Sequence, residues 1–158
     1  MPIDDDSDVQ GGCYCGEVRF LIPQTAIPLL SGYCHCLACR QAHAAPMYAV
    51  AWLLPAEFGI TKGEEMLKWY TRSESARDHL RRHFCRNCGT KVYNSYNGPF
   101  GEQHICATGV FPTLFDNQTV VSSKRWAPTV HMYCEEAIID LSQFNDGLPK
   151  LPRGAAAT

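Results

Sequence analysis

Three cysteines lie within six residues, in the stretch Tyr33-Cys34-His35-Cys36-Leu37-Ala38-Cys39-Arg40. The Cys-x-Cys and Cys-x-x-Cys spacings let a short loop turn neighbouring sulfurs onto one soft cation, with Zn–S distances of about 2.3 Å. A structural zinc site takes four protein ligands, whereas a catalytic site takes three and leaves the fourth position to water or substrate. Three ligands from one loop would suit an open site.

An open zinc site with three thiolates favours sulfur chemistry over hydrolysis. Three thiolates give the centre a net negative charge, so it should acidify water less than a three-histidine zinc, where the pKa of bound water reaches about 7. Such a soft, electron-rich centre instead favours an incoming thiol, bound as thiolate.

Two further cysteine pairs have metal-ligand spacing. Cys13 and Cys15 flank a turn between glycines, and Cys85-x-x-Cys88-Gly89 resembles a zinc knuckle, in which glycine permits the turn. Seven cysteines divide into four plus three. Spacing alone leaves the grouping open, because Cys36 and Cys39 could also join Cys85 and Cys88 in a four-cysteine ribbon.

The other candidate residues have less specific contexts. Cys106 and Cys134 lie in apolar strand-like segments and are predicted to be small buried residues. His35, between two presumed ligands, is expected to face solvent or substrate. His43 follows Cys39 by four residues and could serve as a fourth ligand or a proton shuttle. Three further histidines are predicted to be ordinary strand residues: His83, His104 and His131.

Composition predicts one globular domain. The chain has 158 residues, 46% hydrophobic and 19% charged, with a formal net charge of −2, which argues against an overall basic nucleic-acid-binding protein. Residues 1–9 lack the basic and apolar regions of a signal peptide, and no apolar run approaches the roughly 20 residues of a membrane span. We therefore expect the nine cysteines to be metal-binding thiols in a reduced, cytoplasmic protein.

The positioning elements are predicted to be short strands. Val18, Phe20 and Ile22 alternate with less apolar residues, and Met47–Leu54 is an apolar run bounded by prolines. A helical turn is predicted for residues 41–45, and helix is arguable only for 75–82. Further strands are predicted at 58–60, 66–70, 92–96, 104–110, 119–121 and 130–133. A disordered acidic tail (1–10), one zinc-binding domain (11–147) and a flexible C-terminal tail (148–158) complete the organisation.

These motifs, in this order, resemble the glutathione-dependent formaldehyde-activating enzyme family. The resemblance is carried by Gly12-Cys13-x-Cys15-Gly16-x-Val18-x-Phe20, Cys34-His35-Cys36-x-x-Cys39-Arg40 and Phe84-Cys85-x-x-Cys88-Gly89-Thr90. Two weaker similarities are Gly63-x-x-x-Met66-Leu67-Lys68-Trp69-Tyr70 and Asp146-Gly147-Leu148-Pro149. The match spans roughly residues 11 to 150.

The resemblance implies a mainly β, Mss4-like fold of packed antiparallel sheets, shared with centromere protein V, with two zinc ions. Cys13, Cys15, Cys85 and Cys88 would hold the structural zinc. Cys34, Cys36 and Cys39 would hold the catalytic one. The implied activity is that of a carbon–sulfur lyase that joins glutathione to formaldehyde, as S-(hydroxymethyl)glutathione synthase does.

Glutathione also needs cations for its carboxylates, and an arginine-rich segment could supply them. Residues 68–91 contain seven of the fourteen basic residues, and the planar guanidinium group suits carboxylates. The arginines between the two lysines are Arg72, Arg77, Arg81, Arg82 and Arg86. A solvated strand or helix face is the alternative, and nucleic-acid contact is a further one that we do not favour.

Two other functions remain open. A non-enzymatic zinc-scaffolded binding module would fit the resemblance to Mss4, although it would have no use for an open zinc position. A lyase or cyclase acting on a larger electrophile would keep the thiolate zinc and change the substrate. Fold alone does not decide between them, because function depends on the site.

Overall fold

Short strands in two sheets make up most of the regular structure. The computed structural model describes residues 7–72, 80–98, 106–116 and 124–154. Within these ranges the chain forms ten strands and one α-helix: β1 (Val9–Gly12), β2 (Arg19–Ile22), β3 (Leu30–Cys34), α1 (Leu37–His43), β4 (Tyr48–Leu53), β5 (Gly59–Lys62), β6 (Leu67–Tyr70), β7 (Leu80–Cys85), β8 (Lys91–Tyr96), β9 (Ala107–Val110) and β10 (His131–Met132). The predicted mainly β class is confirmed.

The small sheet has the order β1-β2-β5 and is antiparallel throughout. In β2 the alternating residues Phe20 and Ile22 are fully buried, as the sequence pattern predicts. The Phe20 ring packs against Phe58 and Phe115, with centroids 5.3 and 6.2 Å away. This apolar side of the small sheet therefore supplies part of the core.

The large sheet has the order β10-β3-β4-β9-β8-β7-β6. Its pairings are antiparallel except that of β10 with β3, which is parallel. Buried side chains of β4, β8 and β9 belong to the same core cluster as those of β2, so the main core lies between the two sheets.

The helix α1 follows directly from β3 and is short. It begins after Cys36, whose side chain accepts a hydrogen bond from the Cys39 N–H, and it ends at Ala44, which is in the left-handed conformation with φ 50°. The sequence predicted only one helical turn here. No helix among the described residues is long and apolar enough to cross a membrane.

Some described residues of both predicted tails pair with the rest of the fold. β1 begins at Val9, so strand pairing starts inside the segment predicted to be disordered. At the other end, the His131 N–H donates to the Pro149 carbonyl at 2.8 Å, and the Leu151 N–H donates to the His131 carbonyl at 2.9 Å. The proline-containing segment accepts the first bond and donates the second, and the Tyr133 N–H donates to the Arg153 carbonyl. Residues 149–153 are therefore attached to β10 and the turn after it.

Other element predictions vary in outcome. β4, β6 and β8 match their predicted segments closely, whereas β1, β3 and β7 were not predicted. Residues 80–82 of the arguable helix begin the strand β7, so helix was wrong for them. The predicted strand at 119–121, residues 75–79 of the arguable helix, and His104 lie outside the described residues. Cys106 is exposed and Cys134 is half-buried at the start of a 3₁₀ turn, so their prediction as buried strand residues was wrong.

Candidate functional site

Four cysteines from two distant turns converge. Cys13 and Cys15 follow β1, and Cys85 and Cys88 lie at the turn after β7; their four Sγ atoms are all within 4.8 Å of one another. Cys13 Sγ is 3.5 Å from Cys15 Sγ, which is 3.8 Å from Cys85 Sγ. A tetrahedral zinc with Zn–S bonds of about 2.3 Å requires sulfurs about 3.8 Å apart. The cluster therefore fits a four-cysteine zinc site.

Backbone and hydroxyl groups stabilise this cluster. The Val18 N–H donates to Cys13 Sγ at 3.3 Å, and the Tyr14 N–H donates to Thr90 Oγ1 at 3.1 Å, which links the two turns. Burial raises the pKa of the Cys88 thiol, but hydrogen bonds with Thr90 and Cys15 outweigh it and lower the pKa to about 6. At Cys88 the hydrogen bonds therefore favour the thiolate form that a metal requires, whereas burial raises the pKa of Cys85 to about 11.

The second cluster comes from one loop. Cys34 ends β3, Cys36 caps α1 and Cys39 lies in its first turn. All three are buried, and their Sγ atoms lie within 4.8 Å of one another. Counted among the described residues, the cluster offers three protein ligand atoms, one from each cysteine. It could hold a metal ion through three protein ligands.

The electrostatics of this cluster favour neutral thiols unless a cation is bound. Hydrogen bonding with Cys36 and Cys39, followed by burial, raises the pKa of Cys34 far above its ordinary value. Three neighbouring buried thiols cannot ionise together unless a positive charge compensates them. A soft, all-sulfur donor set suits zinc, so the residues present fit the ion that the sequence predicts.

Two polar side chains contact Cys39. The Tyr48 hydroxyl is 3.5 Å from Cys39 Sγ, and Arg82 Nη2 is 3.8 Å from the same atom. Burial, together with the charges of Cys39 and its neighbours, raises the pKa of Tyr48, so its hydroxyl stays protonated and can donate. Arg82 is buried at 8% exposure and supplies positive charge beside the thiolates.

The arginines of the arginine-rich segment differ in their exposure and in their contacts with the three-cysteine cluster. Of the predicted arginines in the described ranges, Arg82 is the one with a recorded contact to the three-cysteine cluster. Arg81 points to the other side of β7, is exposed, and stacks over the Trp69 ring at 4.4 Å. Arg86 is exposed as well, and Arg77 lies outside the described residues.

His43 packs near the cluster without joining it. Its ring stacks on Tyr48 at 4.2 Å and meets Phe111 edge-on at 5.0 Å. Burial, with the charge of Arg82, lowers the pKa of His43 to about 4, so it is neutral at neutral pH. His43 is not part of the group of mutually close metal ligands, and the proton-shuttle role stays a prediction.

Sequence reasoning missed a buried histidine pair. His35 is fully buried rather than facing solvent, and its Nε2 lies 2.9 Å from His131 Nδ1. His131 is also fully buried, and the distance from its Nε2 to Asp146 Oδ2 is 2.7 Å. That hydrogen bond, followed by the Leu148 N–H bond, keeps the pKa of Asp146 well below its usual range. The ionised carboxylate therefore accepts from His131, and the chain continues to the loop of the three cysteines.

The residues of this hydrogen-bond chain are visible in the sequence, but their spacing does not show that they lie together. The sequence predicts His131 as an ordinary strand residue and places Asp146 in the short motif Asp146-Gly147-Leu148-Pro149. Only the parallel pairing of β10 with β3 brings His131 beside Tyr33 and the loop. Non-local pairing of this kind leaves no trace in residue spacing.

This mainly β chain brings cysteines from separate turns and one loop into two clusters that could hold metal ions, and the donor sets are consistent with zinc. The glutathione-dependent formaldehyde-activating enzyme family matches residues 8–136, and the chain belongs to this family. Family and clusters together indicate a zinc-binding, glutathione-related function.

A solved structure with a similar fold is a crystal structure of a Rhodobacter sphaeroides protein, determined as a structural genomics target. It has a TM-score of 0.50 and 16% sequence identity, and the match covers 89% of this chain and 98% of the other. At this identity the likeness concerns the fold alone.

Proposed function

We propose that the protein is a zinc-dependent carbon–sulfur lyase that forms and cleaves the adduct between a thiol such as glutathione and an aldehyde such as formaldehyde. The observation that carries the proposal is the buried cluster of Cys34, Cys36 and Cys39, which has three close protein ligands among the described residues. The four-cysteine cluster would hold a structural zinc, which gives two zinc ions per chain.

When held by the three cysteines, zinc would supply a Lewis-acid position for a soft thiolate sulfur. The chain's own residues keep that place buried and balance its charge. Arg82 offsets the negative charge of the thiolates, and the Tyr48 hydroxyl donates to Cys39.

The reaction balances without any further reagent. The thiol sulfur forms a bond to the aldehyde carbon, and the π bond of the carbonyl breaks with its electron pair moving to oxygen. That oxygen takes up the proton released by the thiol, which gives a hydroxyalkyl thioether. In reverse, the sulfur–carbon bond breaks and the aldehyde is released.

Exchange spectroscopy tests the activity directly. With ¹³C-formaldehyde and glutathione, the zinc-loaded protein should accelerate exchange between free formaldehyde and S-hydroxymethylglutathione in NMR spectra. Cys36→Ser should remove the acceleration, whereas Cys106→Ser, an exposed cysteine outside both clusters, should retain it.

Negative results would separate the alternatives. Glutathione binding without acceleration of exchange would discard formaldehyde and favour a larger electrophile. No binding of glutathione by protein that holds both zinc ions would favour the non-enzymatic binding module.

A further inference from the structure

Arg82 and Asn94 are cross-strand neighbours beside the three-cysteine cluster. Arg82 in β7 pairs with Asn94 in β8, so both side chains leave the sheet on the same side. Arg82 is 8% exposed and Asn94 is 1% exposed. Because Arg82 Nη2 lies 3.8 Å from Cys39 Sγ, this side of the sheet is the one that carries the candidate thiol site.

Unpaired polar atoms are concentrated in this neighbourhood. Within the described ranges, six buried side-chain nitrogen and oxygen atoms have no hydrogen-bond partner, and four belong to Arg82, Asn94 and His43. They are Arg82 Nε, both amide atoms of Asn94, and His43 Nε2. Folded proteins pair most buried polar groups, because leaving one unpaired is costly. A side chain with both amide atoms unpaired, in a strand interior, points to a ligand.

The aromatic side chain of Trp52 lies beside the same part of the sheet. In β9, Gly109 pairs with both Asn94 and Trp52. A Cβ on Gly109 would come within 3.0 Å of the Trp52 ring. The ring therefore packs directly on the glycine backbone, on the side where a side chain would stand. The buried amide of Asn94 thus has an arginine on one side and an aromatic surface beyond the glycine on the other.

We propose that Arg82 and Asn94 form a subsite for the amide and carboxylate groups of a peptide thiol such as glutathione, whose sulfur lies at the three-cysteine site. This inference rests on the proposed function. The Asn94 amide can donate and accept at once, which matches a peptide group, and the Arg82 guanidinium pairs with a carboxylate. The subsite would select thiols with these groups over simple alkyl thiols.

Three ligands separate the sulfur from the rest of the molecule. Glutathione carries both parts, S-methylglutathione keeps the amide and carboxylate groups but lacks the thiol, and 2-mercaptoethanol has the thiol alone. Binding of each to zinc-loaded protein is measured by calorimetry, or by NMR titration where affinity is low. The variants are Arg82→Gln and Asn94→Ala.

We expect each variant to bind glutathione and S-methylglutathione about tenfold more weakly. Asn94→Ala, which leaves the charge of Arg82 beside the thiolates in place, should keep its affinity for 2-mercaptoethanol within about twofold. Two control variants, Arg81→Gln and Asn97→Ala, change exposed residues of the same two strands or their ends and should behave as wild type. Unchanged glutathione and S-methylglutathione affinity in both test variants would overturn the subsite.

A stability measurement distinguishes a binding role from a structural one. If the Asn94 amide serves a ligand, Asn94→Val removes unpaired polar atoms, and the melting temperature without ligand should stay the same or rise. If Asn94 instead holds the fold together, the melting temperature should fall by several degrees, which would contradict the proposal.

The two proposals fail in different ways. Glutathione binding tighter than S-methylglutathione, with no effect of Arg82→Gln or Asn94→Ala, would overturn the subsite and leave the proposed function standing. S-methylglutathione binding that depends on both residues and equals glutathione binding would support the subsite and contradict the sulfur chemistry. If the wild type binds neither compound, both proposals are wrong.

Discussion

At the residue scale, one neutral histidine packs near the three-cysteine cluster. His43 is held neutral by burial and by the positive charge of Arg82, and its ring stacks on Tyr48. Protonating such a histidine destabilises the folded state, because the unfolded state, with an ordinary pKa of about 6.5, binds the proton more tightly. Part of the protein's acid sensitivity should therefore come from this one ring.

We predict that His43→Phe reduces this sensitivity. The folded pKa of about 4 is depressed, so the stabilising effect is complete above about pH 6.5 and is lost as pH falls towards 4. The phenyl ring keeps the stacking without the titration. Over this range the wild type should lose about 1–2 kcal/mol more unfolding free energy than the variant, after a discount for partial solvent screening.

Urea unfolding of the two proteins at pH 7, 5.5 and 4.5 measures the effect. The difference between the two proteins is the relevant quantity, because any acid effect that both share cancels in it. Parallel pH dependences would show that His43 does not titrate as its burial indicates.

At the element scale, the segment after β10 supports the loop of the three cysteines. Asp146 bonds His131 in β10, and His131 bonds His35 between two of the cysteines. The parallel pairing of β10 with β3 and the contacts of residues 149–153 hold this arrangement in place. A hydrogen-bond chain of this kind fixes the orientation of a metal-binding loop without any ligand of its own.

Asp146→Ala should therefore loosen one zinc and leave the other. With the carboxylate gone, His131 loses the acceptor that orients it, and the loop of residues 34–39 becomes less fixed. We expect one of the two zinc equivalents to transfer to a chromogenic chelator about tenfold faster. Asp140→Ala, an exposed aspartate on the same segment, is the control. Equal acceleration for both zinc equivalents would instead indicate general destabilisation.

The sequence predicted elements well where the signal was local. The alternation of Val18, Phe20 and Ile22 marked β2, and the apolar run before Pro55 marked β4, because burial on one or both faces leaves its pattern in adjacent residues. The cysteine loops were visible for the same reason. Turn chemistry and metal spacing act over a few residues.

What the sequence did not predict depends on distant contacts. β1 pairs through its backbone, and its two glycines carry no apolar pattern. His131 becomes part of the site only through parallel pairing with β3, and Cys106 is exposed despite its apolar neighbours. The pairing of Arg82 with Asn94 likewise depends on strand register, which the sequence alone does not specify.

At the scale of the whole molecule, the four-cysteine cluster joins the two sheets. Cys13 and Cys15 lie between β1 and β2 of the small sheet, whereas Cys85 and Cys88 lie between β7 and β8 of the large one. A metal bound there would close a long loop in the chain and fix one sheet against the other. Its binding energy would contribute largely to folding.

The two clusters should therefore respond differently to mutation. Cys85→Ser should prevent stable folding, since structural zinc binding is worth about 10–16 kcal/mol in zinc-finger peptides. Cys36→Ser should stay folded and hold one zinc ion per chain. Circular dichroism melting with elemental analysis checks both. Similar loss of structure in the two variants would contradict the division into a structural and a catalytic site.

The central claim is that the three-cysteine site takes an external thiol sulfur as its fourth donor. Zinc K-edge X-ray absorption of the two-zinc protein measures the mean number of sulfur neighbours near 2.3 Å. We predict about 3.5 sulfurs per zinc without ligand and about 4 with saturating glutathione, with no change on adding S-methylglutathione. A mean of about 4 sulfurs before any thiol is added, or a mean that glutathione leaves unchanged, would contradict the account.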